Sequence, residues 1–180
     1  MKNLVFVSVA FGIQYIEQQD RLKKSILDIY PDVNLLFYRD CLPPKSKPFL
    51  DSLYGFKVHG INAAIQEGYK EIIWLDPAMI LCREIGDTFK GMTACAVKDD
   101  HKLSQFVSDR YLDVCDETRE SLNEKDVRLV GGSLYYFDVS KAMPLIHSLT
   151  ADEYLGYFGS QKEEASEQLQ GHRADESCMA

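Results

Sequence analysis

Apolar residues along this chain fall into runs whose period changes from one segment to the next. Leu4-Val5-Phe6-Val7-Ser8-Val9-Ala10 is almost wholly apolar, which predicts a strand buried on both faces. Gly12 ends it. Leu22, Ile26, Ile29 and Tyr30 then recur at helical spacing, so Ile16 to Tyr30 is expected to form an amphipathic helix, stopped by Pro31-Asp32. Val33 to Tyr38 is a second short apolar run and reads as the next strand. Cys41 to Pro48 holds three prolines and two lysines, the composition of a loop. Val58, Ile61, Ala64 and Ile65 set a helix from about Phe49 to Glu67, with Gly68 as its stop. Glu71-Ile72-Ile73-Trp74-Leu75 is a strand that runs straight into Asp76.

The later segments keep alternating. Thr93 to Val97 reads as a strand, and Leu103, Phe106, Val107, Tyr111 and Val114 mark a helix. Asp116 to Asp126 is highly charged and reads as a solvated helix or a crossing segment. Leu129 to Phe137 contains Gly131-Gly132 and then an apolar strand. Lys141 to Leu149 is a helix that tolerates Pro144 only near its start. The polar stretch Gly159 to Gln170 reads as a helix or a lid. The order β-α-β-α-β followed by mixed elements predicts a three-layer α/β/α domain around a mainly parallel central sheet. Trp74, on a buried strand, is expected to cost several kcal/mol when cut to alanine.

Size and charge narrow the function. The 180 residues suit one domain that buries its own core. An apolar share of 46% and a charged share of 27% are those of a globular protein. The net charge of -8 repels phosphate backbones and argues against nucleic-acid binding. No apolar run is long enough to span a bilayer. The apolar N-terminus lacks a small-residue cleavage site, so a buried first strand explains it better than a signal peptide. The five cysteines form no CxxC pair. They read as free thiols, and the expected compartment is the cytoplasm.

In open α/β sheets, ligands bind beyond the carboxyl ends of the strands. That rule selects Ala10 to Tyr15, Asp76 to Ala78 and Gly131-Gly132. Asp76 follows its strand directly, where a carboxylate can bind a metal or a sugar hydroxyl, or cap a turn before Pro77. As a strand-end polar residue, it is expected to cost little stability when removed. Lys57 lies on the preceding helix and can neutralise a diphosphate or serve as an ordinary surface lysine. His172-Arg173-Ala174-Asp175-Glu176 gathers four ionisable groups near the C-terminus. There His172 can ligate a metal, Arg173 can bind phosphate, and Asp175 or Glu176 can act as a base. A solvated charge run explains the same residues. No GxGxxG, Walker-type loop or GxSxG elbow is present, which removes the strongest signals for redox, NTPase and serine-hydrolase chemistry.

Tyr54-Gly55-Phe56-Lys57, Ile72-Ile73-Trp74-Leu75-Asp76-Pro77-Ala78, Gly131-Gly132-Ser133-Leu134 and Gly171-His172-Arg173-Ala174-Asp175-Glu176 together resemble the GT-A-type glycosyltransferases. The resemblance implies a nucleotide-diphosphate sugar as donor and a carbohydrate or other hydroxyl as acceptor. It places Asp76 as the first aspartate of a DxD motif that holds donor and metal, and Ala78 at the second. With the motif incomplete, either a manganese or magnesium ion or metal-independent action is implied, with Lys57 taking part of the ion's role. Ala10 to Tyr15 matches the cradle of the base, with Tyr15 as stacking partner. Gly131 and Gly132 match the close approach to a sugar. His172, Arg173, Asp175 and Glu176 match the late motif that closes on the donor and supplies a metal ligand or catalytic carboxylate. Residues 1–180 then read as one transferase-like domain that stops four residues after Glu176, a fragment or a form lacking the final elements. Three rivals stand beside sugar transfer: a degenerate, non-catalytic nucleotide-sugar-binding module, a nucleotidyltransferase, and a partner-binding α/β protein.

Overall fold

The computed structural model describes residues 3–158. Five strands form one open sheet in the order β2-β1-β3-β5-β4. They are β1 (Leu4–Ala10), β2 (Asn34–Arg39), β3 (Glu71–Leu75), β4 (Ala94–Lys102) and β5 (Arg128–Asp138). β1 pairs in parallel with β2 and with β3. β5 runs antiparallel to both β3 and β4. Four strands therefore point one way and β5 runs against them, which makes the sheet mixed.

Helices cover both faces. The first, α1 (Ile13–Ile29), presents Leu22 and Ile26 to Leu4, Phe6, Ile73 and Leu75. On the opposite face α2 (Gly55–Gln66) and α5 (Val139–Tyr154) pack Val58, Ile61, Ala142 and Ile146 against Val5, Val7, Ile72 and Trp74. This is why every residue of β1 is buried: alternate side chains enter two different cores. Two short helices, α3 (Asp109–Cys115) and α4 (Arg119–Glu124), enclose a smaller third cluster around Leu129.

Several boundaries differ from the sequence expectation: α1 starts three residues earlier, at Ile13, β4 runs on to Lys102 and α5 to Tyr154, and three further differences bear on packing. The helix expected from Phe49 begins at Gly55, because Tyr54 stands in the left-handed region at φ 61° and a helix cannot run through it. A larger residue at Gly55 would force its neighbours to move: a Cβ would lie 2.1 Å from Ser52 Oγ and 3.0 Å from Glu153 Cγ. The helix expected over Leu103 to Val114 is split into a 3-10 turn at Leu103–Gln105 and α3. Ser108 caps α3 by accepting a bond from the Tyr111 N–H. The last helix starts at Val139, so Pro144 lies in its second turn rather than its first.

Tyr136 illustrates how the sheet tunes a side chain. Its ring stacks on Phe89 at 4.6 Å, and its hydroxyl donates to Glu71 Oε1 at 3.1 Å. Burial first, then the Glu71 bond and charge, push the phenol up to about 12. The folded chain thus holds this proton more tightly than the unfolded chain, whose phenols ionise near 10. The stabilisation is complete below about pH 10 and is lost as pH rises toward about 12. Tyr136→Phe should flatten that loss in urea midpoints measured across this range. An unchanged slope would assign the loss to other groups.

Candidate functional site

A cavity of about 630 Å³ opens beyond the carboxyl ends of β1 and β3. Val9, Phe11, Tyr15, Leu42, Phe49, Tyr54, Phe56, Lys57, Asp76, Pro77 and Ala78 line it. The volume suits a small-molecule ligand. Two of the three strand ends selected from sequence, those of β1 and β3, border it.

The β1 edge is held by a backbone clamp. Asp40 N–H donates to Ala10 O at 2.9 Å, and Gly12 N–H donates to Asp40 Oδ1 at 2.8 Å. Gly12 is at φ 77°, where a residue without Cβ is favoured. The clamp leaves Ala10 buried and turns its neighbours Val9 and Phe11 to the cavity. Tyr15, on the first turn of α1, is half exposed and lines the same opening.

The polar floor is built by α2, β3 and β5. Lys57 is almost fully buried, and an ammonium in that position needs partners. Its Nζ donates to Gly132 O at 2.8 Å and lies 3.5 Å from Asp76 Oδ1. The rings of Tyr54, Trp74 and Tyr135 stand 5.2, 5.7 and 5.7 Å from it, within the range where ring faces attract a cation. Asp76 is fixed in turn: its backbone N–H donates to Ser133 O, and its Oδ1 accepts the Trp74 indole N–H, both at 2.9 Å. The side chain of Asp76 stays about one-third exposed, so a ligand can reach it.

The aromatic wall is a feature the sequence reading missed. Phe56 lies at its centre, with ring centroids 6.4 Å from Phe11, 6.0 Å from Phe49, 6.2 Å from Tyr54 and 5.9 Å from Trp74. Phe49 and Tyr54 come from the loop before α2. Lys47, in that loop, donates to Glu153 O at 2.8 Å and sits 3.4 Å from Glu153 Oε1. His59 Nε2 lies 3.2 Å from Glu153 Oε2 without hydrogen-bond geometry. The buried Glu153 carboxylate thereby ties the loop and α2 to the end of α5. Density of Phe and Tyr from Phe49 to Phe56 was the available sequence signal.

The structure brings Asp76, Lys57 and Tyr15 together. Gly131 and Gly132 are placed differently. Gly131 faces Val97 across the β4–β5 ladder, where a Cβ would lie 3.5 Å from Val97 O. Gly132 reaches the site through its carbonyl on Lys57. Neither is a lining residue of the cavity. His172, Arg173, Asp175 and Glu176, and the stretch Gly159 to Gln170, lie outside the described residues.

No protein-family model and no curated protein matches the chain. Among solved structures it is similar to a glycosyltransferase involved in the glycosylation of the major capsid of PBCV-1. The TM-score is 0.52 at 10% identity, over 86% of this chain and 68% of that one. The fold is that of a GT-A-type glycosyltransferase. The galactosyltransferase LgtC, solved with donor and acceptor sugar analogs, is also similar, at TM-score 0.44 and 10% identity over 84% of this chain and 66% of that one. The chain spans about two thirds of the length of each. No described helix is long and apolar enough to cross a membrane.

A GT-A fold with a DxD motif implies a divalent cation, and the described residues can be tested for it. Among them, no group of three or more His, Cys, Asp or Glu side chains could hold a metal ion. Among the described residues, Asp76 is the one carboxylate lining the cavity, and Ala78 lines it without a ligand atom on its side chain. An ion on Asp76 Oδ1 would compete with the indole N–H and meet the ammonium 3.5 Å from that oxygen. At about 4–6 Å, a dication and an ammonium repel by roughly 5–8 kcal/mol at an effective dielectric of about 20. An ion on the other oxygen would have one protein ligand among the described residues and would depend on water and a ligand's phosphates for the rest of its shell, still beside the fixed ammonium. The described residues do not fit the metal.

Proposed function

We propose that this chain binds a nucleotide-diphosphate sugar in the aromatic-walled cavity and transfers the sugar to a hydroxyl acceptor. One observation carries the reading. A buried ammonium and a fixed carboxylate, Lys57 and Asp76, form the floor of a cavity at the strand ends of a GT-A fold. The rings of Phe11 and Tyr15 offer apolar faces for a planar base. Lys57 supplies positive charge for a diphosphate, and Asp76 can accept a sugar hydroxyl.

In the transfer, the bond from the anomeric carbon to the phosphate oxygen breaks, and its electron pair leaves with the diphosphate. The acceptor oxygen bonds to the anomeric carbon and gives its proton to a base. Asp175 or Glu176 is the proposed source of that base.

The lone carboxylate favours a second reading, a binding module that keeps the donor and does not turn it over. Calorimetric titration with uridine, guanosine and cytidine diphosphate sugars tests both. Micromolar to millimolar binding of one donor is expected, and release of its sugar to an acceptor or to water selects the transferase. Binding without turnover selects the module. Absence of binding to every donor overturns both.

A further inference from the structure

We propose that the donor is engaged without a divalent cation, the Lys57 ammonium acting as a resident counter-charge for the diphosphate. The inference rests on the donor reading above and deepens it.

Three independent features of the chain converge on it. The first is composition of the floor. Among the described residues, the strand-end Asp-Pro-Ala offers a cation one carboxylate, so water and the donor's own phosphates would have to supply the rest of its shell. The second is engagement of one oxygen of that carboxylate. Asp76 Oδ1 already takes the Trp74 indole N–H and faces Lys57, so a cation would have the other oxygen alone. The third is the way Lys57 is held. A surface lysine is flexible and shares its charge with water. This one is buried on α2, hydrogen-bonded to Gly132 O and surrounded by three rings.

An ammonium fixed in this way needs little reorganisation when negative charge develops on a departing diphosphate. Preorganised charge in a water-poor site is the arrangement that stabilises such a group best. The neighbouring Asp76 and Gly132 O keep the ammonium aimed, and the Trp74 indole positions Asp76. The sequence therefore replaces a cation that must be bound from solution with one that is part of the chain.

The test is calorimetry on the full chain with the uridine, guanosine and cytidine diphosphate sugars. Each is titrated once with EDTA and once with manganese chloride. The expected result is one donor binding with the same affinity, within about twofold, in both buffers. In EDTA, Lys57→Met is expected to weaken that donor at least about tenfold, the loss of a charge-assisted contact. Lys57→Arg is expected to recover part of the loss. Circular dichroism shows whether the variants fold; the buffer comparison on the unmodified chain stands even if they do not. Binding only with manganese overturns the metal-free proposal and leaves the donor reading standing. Equal binding by folded Lys57→Met also overturns it. No binding in either buffer removes the donor reading itself, a pattern distinct from manganese dependence.

Discussion

Trp74→Ala is expected to lower the free energy of unfolding by roughly 3–5 kcal/mol, read as a shifted urea midpoint followed by circular dichroism. The residue is fully buried and lies on β3, the strand between β1 and β5. Its ring packs on Phe56 at 5.9 Å, stands over Lys57 and pairs across the ladder with Tyr135. Gly60 brings α2 against it: a Cβ there would lie 3.4 Å from Trp74 Cζ3. Truncation would leave a void bounded by a strand, a helix and a buried ammonium, none of which can easily collapse into it. Trp74→Phe should cost less, since most ring contacts survive, yet it removes the same N–H from Asp76. A midpoint unchanged by the alanine variant would show that the ring is not core.

Asp76 carries the second large effect. Asp76→Asn is expected to weaken donor binding by about 10- to 150-fold, the loss of a charged hydrogen bond worth roughly 1.5–3 kcal/mol. The sequence reading expects removal of this residue to cost little stability. The indole changes that expectation for alanine. Asp76→Ala leaves the Trp74 N–H without its acceptor, a cost of roughly 1–3 kcal/mol. Asparagine keeps an oxygen in reach and should hold the fold better. Melting curves separate the two variants, and calorimetry with the donor reads the binding loss. Donor affinity unchanged in Asp76→Asn would place the residue outside the site.

What the sequence disclosed follows from which interactions are local. β1 and β3 were legible because each is a nearly continuous apolar run, interrupted by Ser8 in β1 and led by Glu71 in β3, the signature of a strand with both faces covered. The three layers followed from the alternation of elements. The direction of β5 was not legible, because a strand's apolar pattern is the same whichever way it runs. The start of α2 was hidden for a different reason. The left-handed Tyr54 and the close fit of Gly55 beneath Glu153 are set by α5, far along the chain.

The site divides in the same way. Asp76 was visible because a carboxylate directly after an apolar strand is conspicuous. Lys57 is visible as a charge, but its sequence context favours an ordinary surface lysine; its burial depends on a carbonyl from β5. Trp74 was read correctly as core, and that reading concealed the polar atom at its edge. The aromatic wall was missed because Phe11, Phe49 and Phe56 come from separate segments and meet only when β1 and α2 are assembled.

Trp74 is also the chain's single tryptophan. Its indole touches the candidate carboxylate, and its ring borders the buried cation and the aromatic wall. All of the protein's tryptophan emission therefore originates beside the cavity floor. The excited indole is sensitive to nearby charge and to its own hydrogen bond, so the fold has placed a fluorophore where occupancy changes its surroundings. The unlabelled chain carries its own optical gauge of ligand entry, which can be followed in a stopped-flow cell without modifying any residue.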